Sequence, residues 1–194
     1  MASWREKNPT WQYRAWGNED VELAPGEPWG LRVAWDKMKE WNGRADILRL
    51  LVLQRFGGFF VDADSLCLRP IPDAWLECEA FAAYENERHL PGTIATGYIG
   101  SIPGGSLVTH VIAEIERRSK RWDWAKEPAW RSVGPLIFTE IAKQHPELKI
   151  LPARHLLPEH YSGVPPLETG ESPYAMQFWG STIHSPHYQY RGLS

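Results

Sequence analysis

The residues best placed to do chemistry are two carboxylates, Asp62 and Asp64, closing the run Gly57-Gly58-Phe59-Phe60-Val61-Asp62-Ala63-Asp64. A short apolar strand ends there, so both acids fall at its C-terminal edge, where open α/β sheets bind their ligands. Two hard oxygen donors so close suit Mn²⁺ or Mg²⁺, which keep coordination positions free for phosphate oxygens. Asp is also common in a turn after a strand, so this pair alone reads equally well as a polar turn. Sixteen residues before Asp62, Asp46 and Arg49 stand three apart on one face of a segment that is otherwise apolar. Buried charges are rarely left unpaired. That face therefore needs either a simple Asp–Arg pair or, taken with the downstream acids, one shared polar site.

The elements that must position these groups follow from periodicity. Arg44 to Phe56 is the clearest helix, apolar almost all round through Ile47, Leu48, Leu50, Leu51, Val52 and Leu53, and so deeply buried. Gly57-Gly58 ends it, and Phe59-Phe60-Val61 reads as a strand. A helix is expected from Trp29 to Trp41, a strand from Trp11 to Trp16 and a loop from Asn18 to Pro28. Further strands are expected near Ala80–Tyr84, Ile94–Ser101, Lys149–Leu151 and Tyr174–Phe178, and helices over Ser106–Arg118 and Pro135–Lys143. Strands interleaved with helices argue an α/β sheet in a single domain over 1–194. The stretch from Pro152 to Pro173, rich in Pro, Glu and His, reads as an irregular cover over the site.

Composition excludes several classes. With 43% hydrophobic and 23% charged residues the 194-residue chain is globular, and 21 basic against 24 acidic residues argue against a phosphate-backbone binder. No apolar run is long enough to span a membrane, and the start lacks a secretory pattern, so a cytoplasmic location is expected. Cys67 and Cys78 read as ordinary thiols. Eleven tryptophans are expected to line a cleft or pack a small core. His110, in an apolar helix, reads as a core histidine. His155 and His160 read as solvated, and Arg117-Arg118-Ser119-Lys120-Arg121 as cations complementing a helix dipole. Trp122 and Trp124 read as packing residues, or less simply as a platform for a sugar or a base.

Arg44-Ala45-Asp46-Ile47-Leu48-Arg49 followed by Gly57 to Asp64 resembles the sugar-binding DxD region of glycosyltransferase family 32, a family related to the clostridial glucosylating toxins. Similarity continues in Ser3-Trp4…Asn8-Pro9, Tyr13 to Asp20, Gly97 to Gly104, Val133-Gly134-Pro135 and Tyr174 to Ser181. The resemblance implies a compact GT-A-like (Rossmann-type) nucleotide-sugar-binding domain, without the strand that usually precedes the Ser-Trp segment. It implies a metal-dependent, retaining transferase that moves a sugar from a UDP- or GDP-sugar to a hydroxyl of a glycan, protein, small molecule or modified nucleobase. Asp64, with Asp62, would hold the metal, and Asp62 would also touch ribose or sugar hydroxyls. Asp46 and Arg49 would bind the donor sugar, with Phe60 beside the nucleotide and Gln177, Trp179 and Ser181 on the donor. Gln177 stands where the family carries histidine, so His184 is the expected third metal ligand or diphosphate contact, with His187 next. Two rival readings are a non-catalytic sugar-binding module and a haloacid-dehalogenase-like phosphatase, whose apolar strand also ends in Asp-x-Asp.

Overall fold

The computed structural model describes residues 1–17, 29–124 and 126–180. Its central helix, α3 (Trp41–Phe56), buries Ile47, Leu48, Leu50, Val52 and Leu53 and, among them, Asp46 and Arg49. Gly57 closes it at φ 62 and ψ −154, its N–H still bonded to Leu53 O at 3.0 Å. That conformation belongs almost solely to glycine, and it turns the chain straight into β1 (Gly58–Val61). The strand pairs antiparallel with β4 (Leu90–Ser101), from Gly58↔Ser101 to Val61↔Tyr98. In turn β4 pairs antiparallel with β3 (Ala80–Asn86), and β3 parallel with β5 (Lys149–Leu151), giving the order β1-β4-β3-β5.

Apolar side chains alternate to the two faces of this sheet and make two cores. On one face α2 (Trp29–Lys37), α3, α4 (Ser106–Ser119) and α6 (Pro135–Ala142), with the short α5 (Ala129–Ser132), enclose Leu31, Ile47, Ile99, Val108, Ile137 and Phe138. On the other, α1 (Ala2–Lys7), α7 (Ala153–Leu156) and a ribbon of β2 (Ser65–Cys67) with β6 (Ala175–Gln177) enclose Trp4, Phe81, Tyr98, Leu157 and Tyr174. The β3–β4 register slips between Ala82↔Ile99 and Ala83↔Ala95, leaving Thr96, Gly97 and Tyr98 without partners on β3. Such an irregularity re-aims side chains, and here it turns Thr96 towards α3 and sets Gly97 against the end of β1.

The mixed α/β fold is as expected, with local corrections. Trp11 to Trp16 is not a strand: it joins neither sheet among the described residues, and the Trp11 N–H bonds locally to Asn8 O at 3.1 Å. α2 stops at Lys37 and α3 starts earlier, at Trp41. β4 reaches back to Leu90 through Pro91-Gly92, where its register against β3 shifts between Tyr84↔Ile94 and Asn86↔Leu90. α1, α5, α7 and β2 are too short for a period to show, and α7 lies inside the stretch expected to be irregular, whereas β6 falls within the strand expected at Tyr174–Phe178. The Asn18–Pro28 loop lies outside the described residues. Among those described, no helix is long and apolar enough to cross a membrane.

Because a Cβ on Gly57 would lie 2.6 Å from the Pro103 ring as well as in a disfavoured conformation, Gly57→Ala is expected to cost about 1–3 kcal/mol of stability. Urea denaturation measures it, and a midpoint equal to that of the parent would show that the turn does not depend on glycine.

Candidate functional site

Two elements meet at one guanidinium, and two more fasten the acids around it. The Arg49 side chain, 3% exposed, donates from Nη1 to Asp46 Oδ1 on its own helix and from Nη2 to Asp62 Oδ1 at the end of β1. A helix spacing of three brings the first pair together. The Gly57 turn brings the second. Thr96 Oγ1 donates to Asp46 Oδ1 at 2.9 Å, and Arg49 lies 5.1 Å from the centre of the Phe60 ring. On the other side β6 delivers Gln177, whose Nε2 donates to Asp64 Oδ1 and lies 3.4 Å from Asp62 Oδ2. The N–H of Gly180 donates to Asp64 Oδ2. Backbone bonds hold this frame: Asp62 N to Gly97 O at 3.0 Å and Phe178 N to Asp64 O at 2.9 Å.

Two glycines let the acids approach backbone. A Cβ on Gly97 would lie 2.9 Å from Asp62 Oδ2, and one on Gly134 would lie 2.8 Å from Asp46 Oδ2. Burial pushes the Asp46 carboxyl up to about 6, against the pull of Arg49 and with a further push from the Asp62 charge. Burial likewise raises Asp64, against the hydrogen bond from Gly180. A cavity of about 1010 Å³ lies along β1, the edge strand, and is lined by Asp62, Ala63, Phe59 and Phe60 together with Trp11, Tyr13 and Trp16.

The donor set fits a hard divalent cation. Asp62 and Asp64 present oxygen, and Gln177 Oε1 is buried with no hydrogen-bond partner. Among the described residues no group of three or more His, Cys, Asp or Glu could hold a metal. An ion there would complete its shell with amide oxygen, water or phosphate, as Mg²⁺ and Mn²⁺ do.

Asp46, Arg49, Phe60, Asp62, Asp64 and Gln177 are thus brought together. Trp179 is one residue from the Gly180 N–H, but its ring turns outward, with Nε1 on Glu159 O at 2.9 Å and edge contacts to His160 and Tyr161. Ser181, His184 and His187 lie outside the described residues. Three histidine readings are corrected. His110 is exposed, its Nδ1 2.8 Å from His145 Nε2, because it faces away from the apolar stripe of α4. His160 is 3% exposed, held by Ser162 Oγ at 2.7 Å and near Glu85. His155 is packed on Trp75 and Tyr174, and burial lowers its pKa. Arg117 and Arg118 serve ion pairs with Glu114 and Glu140 rather than the helix dipole alone. Thr96, Gly97, Gly134 and Gly180 are not expected at the site from their residue types, although Gly97, Gly134 and Gly180 fall in segments that carry the family resemblance.

Residues 1–82 match the family described as a glycosyltransferase sugar-binding region containing a DXD motif. The chain is 27% identical over 143 residues to a mannosyl phosphorylinositol ceramide synthase of Saccharomyces cerevisiae, covering 71% of this chain and 36% of that protein. It is 26% identical over 160 residues to inositol phosphoceramide mannosyltransferase 3 of Schizosaccharomyces pombe, covering 79% and 43%. It therefore spans less than half the length of these curated relatives. Among solved structures it is similar to the PaToxG glycosyltransferase, at 16% identity and a TM-score of 0.49, covering 67% of this chain and 44% of that one.

The raised Asp46 carboxyl makes a signed prediction. Its folded value of about 6 exceeds the ordinary 3.8, so the folded state holds the proton more tightly. Its contribution to stability is then full below pH 3.8 and is lost as pH rises through about 6. Asp46→Asn should gain stability relative to the parent across that window, read from denaturation midpoints over pH. A constant difference would contradict the assignment.

Proposed function

We propose that this chain, whose residues 1–82 carry the glycosyltransferase sugar-binding region containing the DXD motif, is a metal-dependent, retaining glycosyltransferase using a nucleotide-sugar donor. The observation that carries the reading is the single buried Arg49 that joins the carboxylate of α3 to the first acid of the Asp-x-Asp pair. A simple ion pair would have no use for a third group. Three linked charges from two elements, open to a cavity at Asp62, make a polar floor for a hydroxylated ligand.

In this reading Asp46 accepts hydrogen bonds from donor-sugar hydroxyls, while Arg49 fixes its carboxylate and that of Asp62 in place. Asp62, beside the apolar groove, takes hydroxyls of the sugar or ribose, and the aromatic walls of the groove suit a flat base. A divalent cation on Asp64 and Asp62, beside the Gln177 side chain that bonds Asp64, would neutralise charge developing on the leaving diphosphate, so that no protein acid has to protonate it. Gly180 N–H and the Gln177 amide hold Asp64 in its orientation. The names of the relatives make a mannosyl donor the first to try, with a hydroxyl as the acceptor group.

A thermal-shift series of nucleotide sugars, with and without Mn²⁺, tests the reading. A donor at about a hundred times its dissociation constant adds about 2.7 kcal/mol of apparent stability. That gain should need Mn²⁺ and disappear in Asp64→Asn, a variant expected to remain folded because it removes one of two neighbouring negative charges. Stabilisation without turnover would favour a binding module, hydrolysis of simple phosphomonoesters a phosphatase, and an Asp64→Asn protein with unchanged Mn²⁺ dependence would refute the metal site.

A further inference from the structure

Two indoles stand in solvent beside the site. Trp41, in the first turn of α3, is 69% exposed, and Trp130, in α5, is 54% exposed. Leu136, near the start of α6, is exposed as well. The three helix ends are fastened to one another. Glu40 Oε1 accepts from Ala129 N at 2.8 Å, and a Cβ on Gly43 would lie 2.7 Å from that of Ala129. Gly134 connects this lip to the buried Asp46–Arg49 pair, since a Cβ there would lie 3.0 Å from Trp130 Cα and 2.8 Å from Asp46 Oδ2. The Arg44 guanidinium lies over both Trp35 and Trp41, 5.5 and 5.3 Å from the ring centres.

The charge around these rings is positive although the chain carries a net charge of −3. Residues 35–44 and 127–136 contain Lys37, Lys39, Arg44 and Arg131 against Asp36, Glu40 and Glu127. Asp36 is paired with Arg32 and an oxygen of Glu40 is taken by Ala129 N. Lys37, Lys39 and Arg131 have no ion pair among the described residues.

We propose that this lip docks the protein on the surface of an anionic lipid bilayer, with Trp41 and Trp130 at headgroup depth and the free cations on lipid phosphates. An indole combines an apolar ring with one N–H donor and so prefers that boundary. A bilayer fits better than a protein partner because the exposed groups are isolated rings among cations, whereas the centre of a protein interface is depleted of charge. Docking would place the Asp46–Arg49 side of the site next to acceptors carried in the membrane surface.

Co-sedimentation of the full chain with phosphatidylcholine vesicles, with and without phosphatidylserine, tests this. Binding should require phosphatidylserine. Lys37→Glu with Arg131→Glu should weaken it by about fivefold or more for each cation lost. Trp41→Ser with Trp130→Ser should weaken it by at least about tenfold while leaving the circular dichroism unchanged. No binding by the parent, or equal binding by both variants, would overturn the proposal. So would a concentration-dependent dimer in solution that the same tryptophan substitutions abolish, since the lip would then fit a second copy of the chain.

Discussion

A guanidinium almost sealed from water, with a carboxylate on either side, is the constraint around which the rest of this molecule is arranged. Desolvating Arg49 is costly unless its charge is met by well-placed partners. One partner, Asp46, comes from the same helix and the other, Asp62, from the strand that follows. Bringing the second within reach requires the abrupt Gly57 turn, a strand of only four residues and a neighbouring β4 whose register slips at the site. The apolar bulk of α3 then excludes water from the pair, and this exclusion also raises the Asp46 carboxyl. Fold and polar site are consequences of the same packing.

Much of the site was legible because charge inside an apolar helix is conspicuous. Asp46 and Arg49 stood out at helical spacing, and Asp62 and Asp64 at the end of an apolar strand. Thr96, Gly97 and Gly134 did not stand out on their own. Their contribution depends on a register slip and on close approaches of backbone to carboxylate, which arise between segments distant in sequence. The same limit explains the histidines. His110 sits in an apolar run yet points away from it, and His160 sits in a Pro-rich run yet is covered by Tyr161 and Trp179. Elements of three to six residues, such as β2, α5 and α1, are held by tertiary packing and leave no period to read.

The tryptophans divide by environment. Trp4 and Trp75 are buried, and the Trp4 Nε1 donates to Ser65 Oγ at 3.1 Å, supporting the turn that carries both acids. Trp11 and Trp16 line the groove along β1. Trp41 and Trp130 lie exposed beside Asp46. A high content of one residue type therefore serves the core, a groove and an outward surface in turn.

The central claim is that Arg49 with Asp46 forms a ligand-holding floor rather than only a structural pair. The direct measurement is calorimetric titration of a nucleotide sugar, with Mn²⁺ present, into the Asp46→Leu/Arg49→Met protein. Matched apolar groups often replace a buried ion pair with little loss of stability, so the protein should fold cooperatively. The account predicts that its donor affinity falls by about a hundredfold or more, the scale of two lost charge-assisted hydrogen bonds. A folded double variant that binds the donor as tightly as the parent would contradict it.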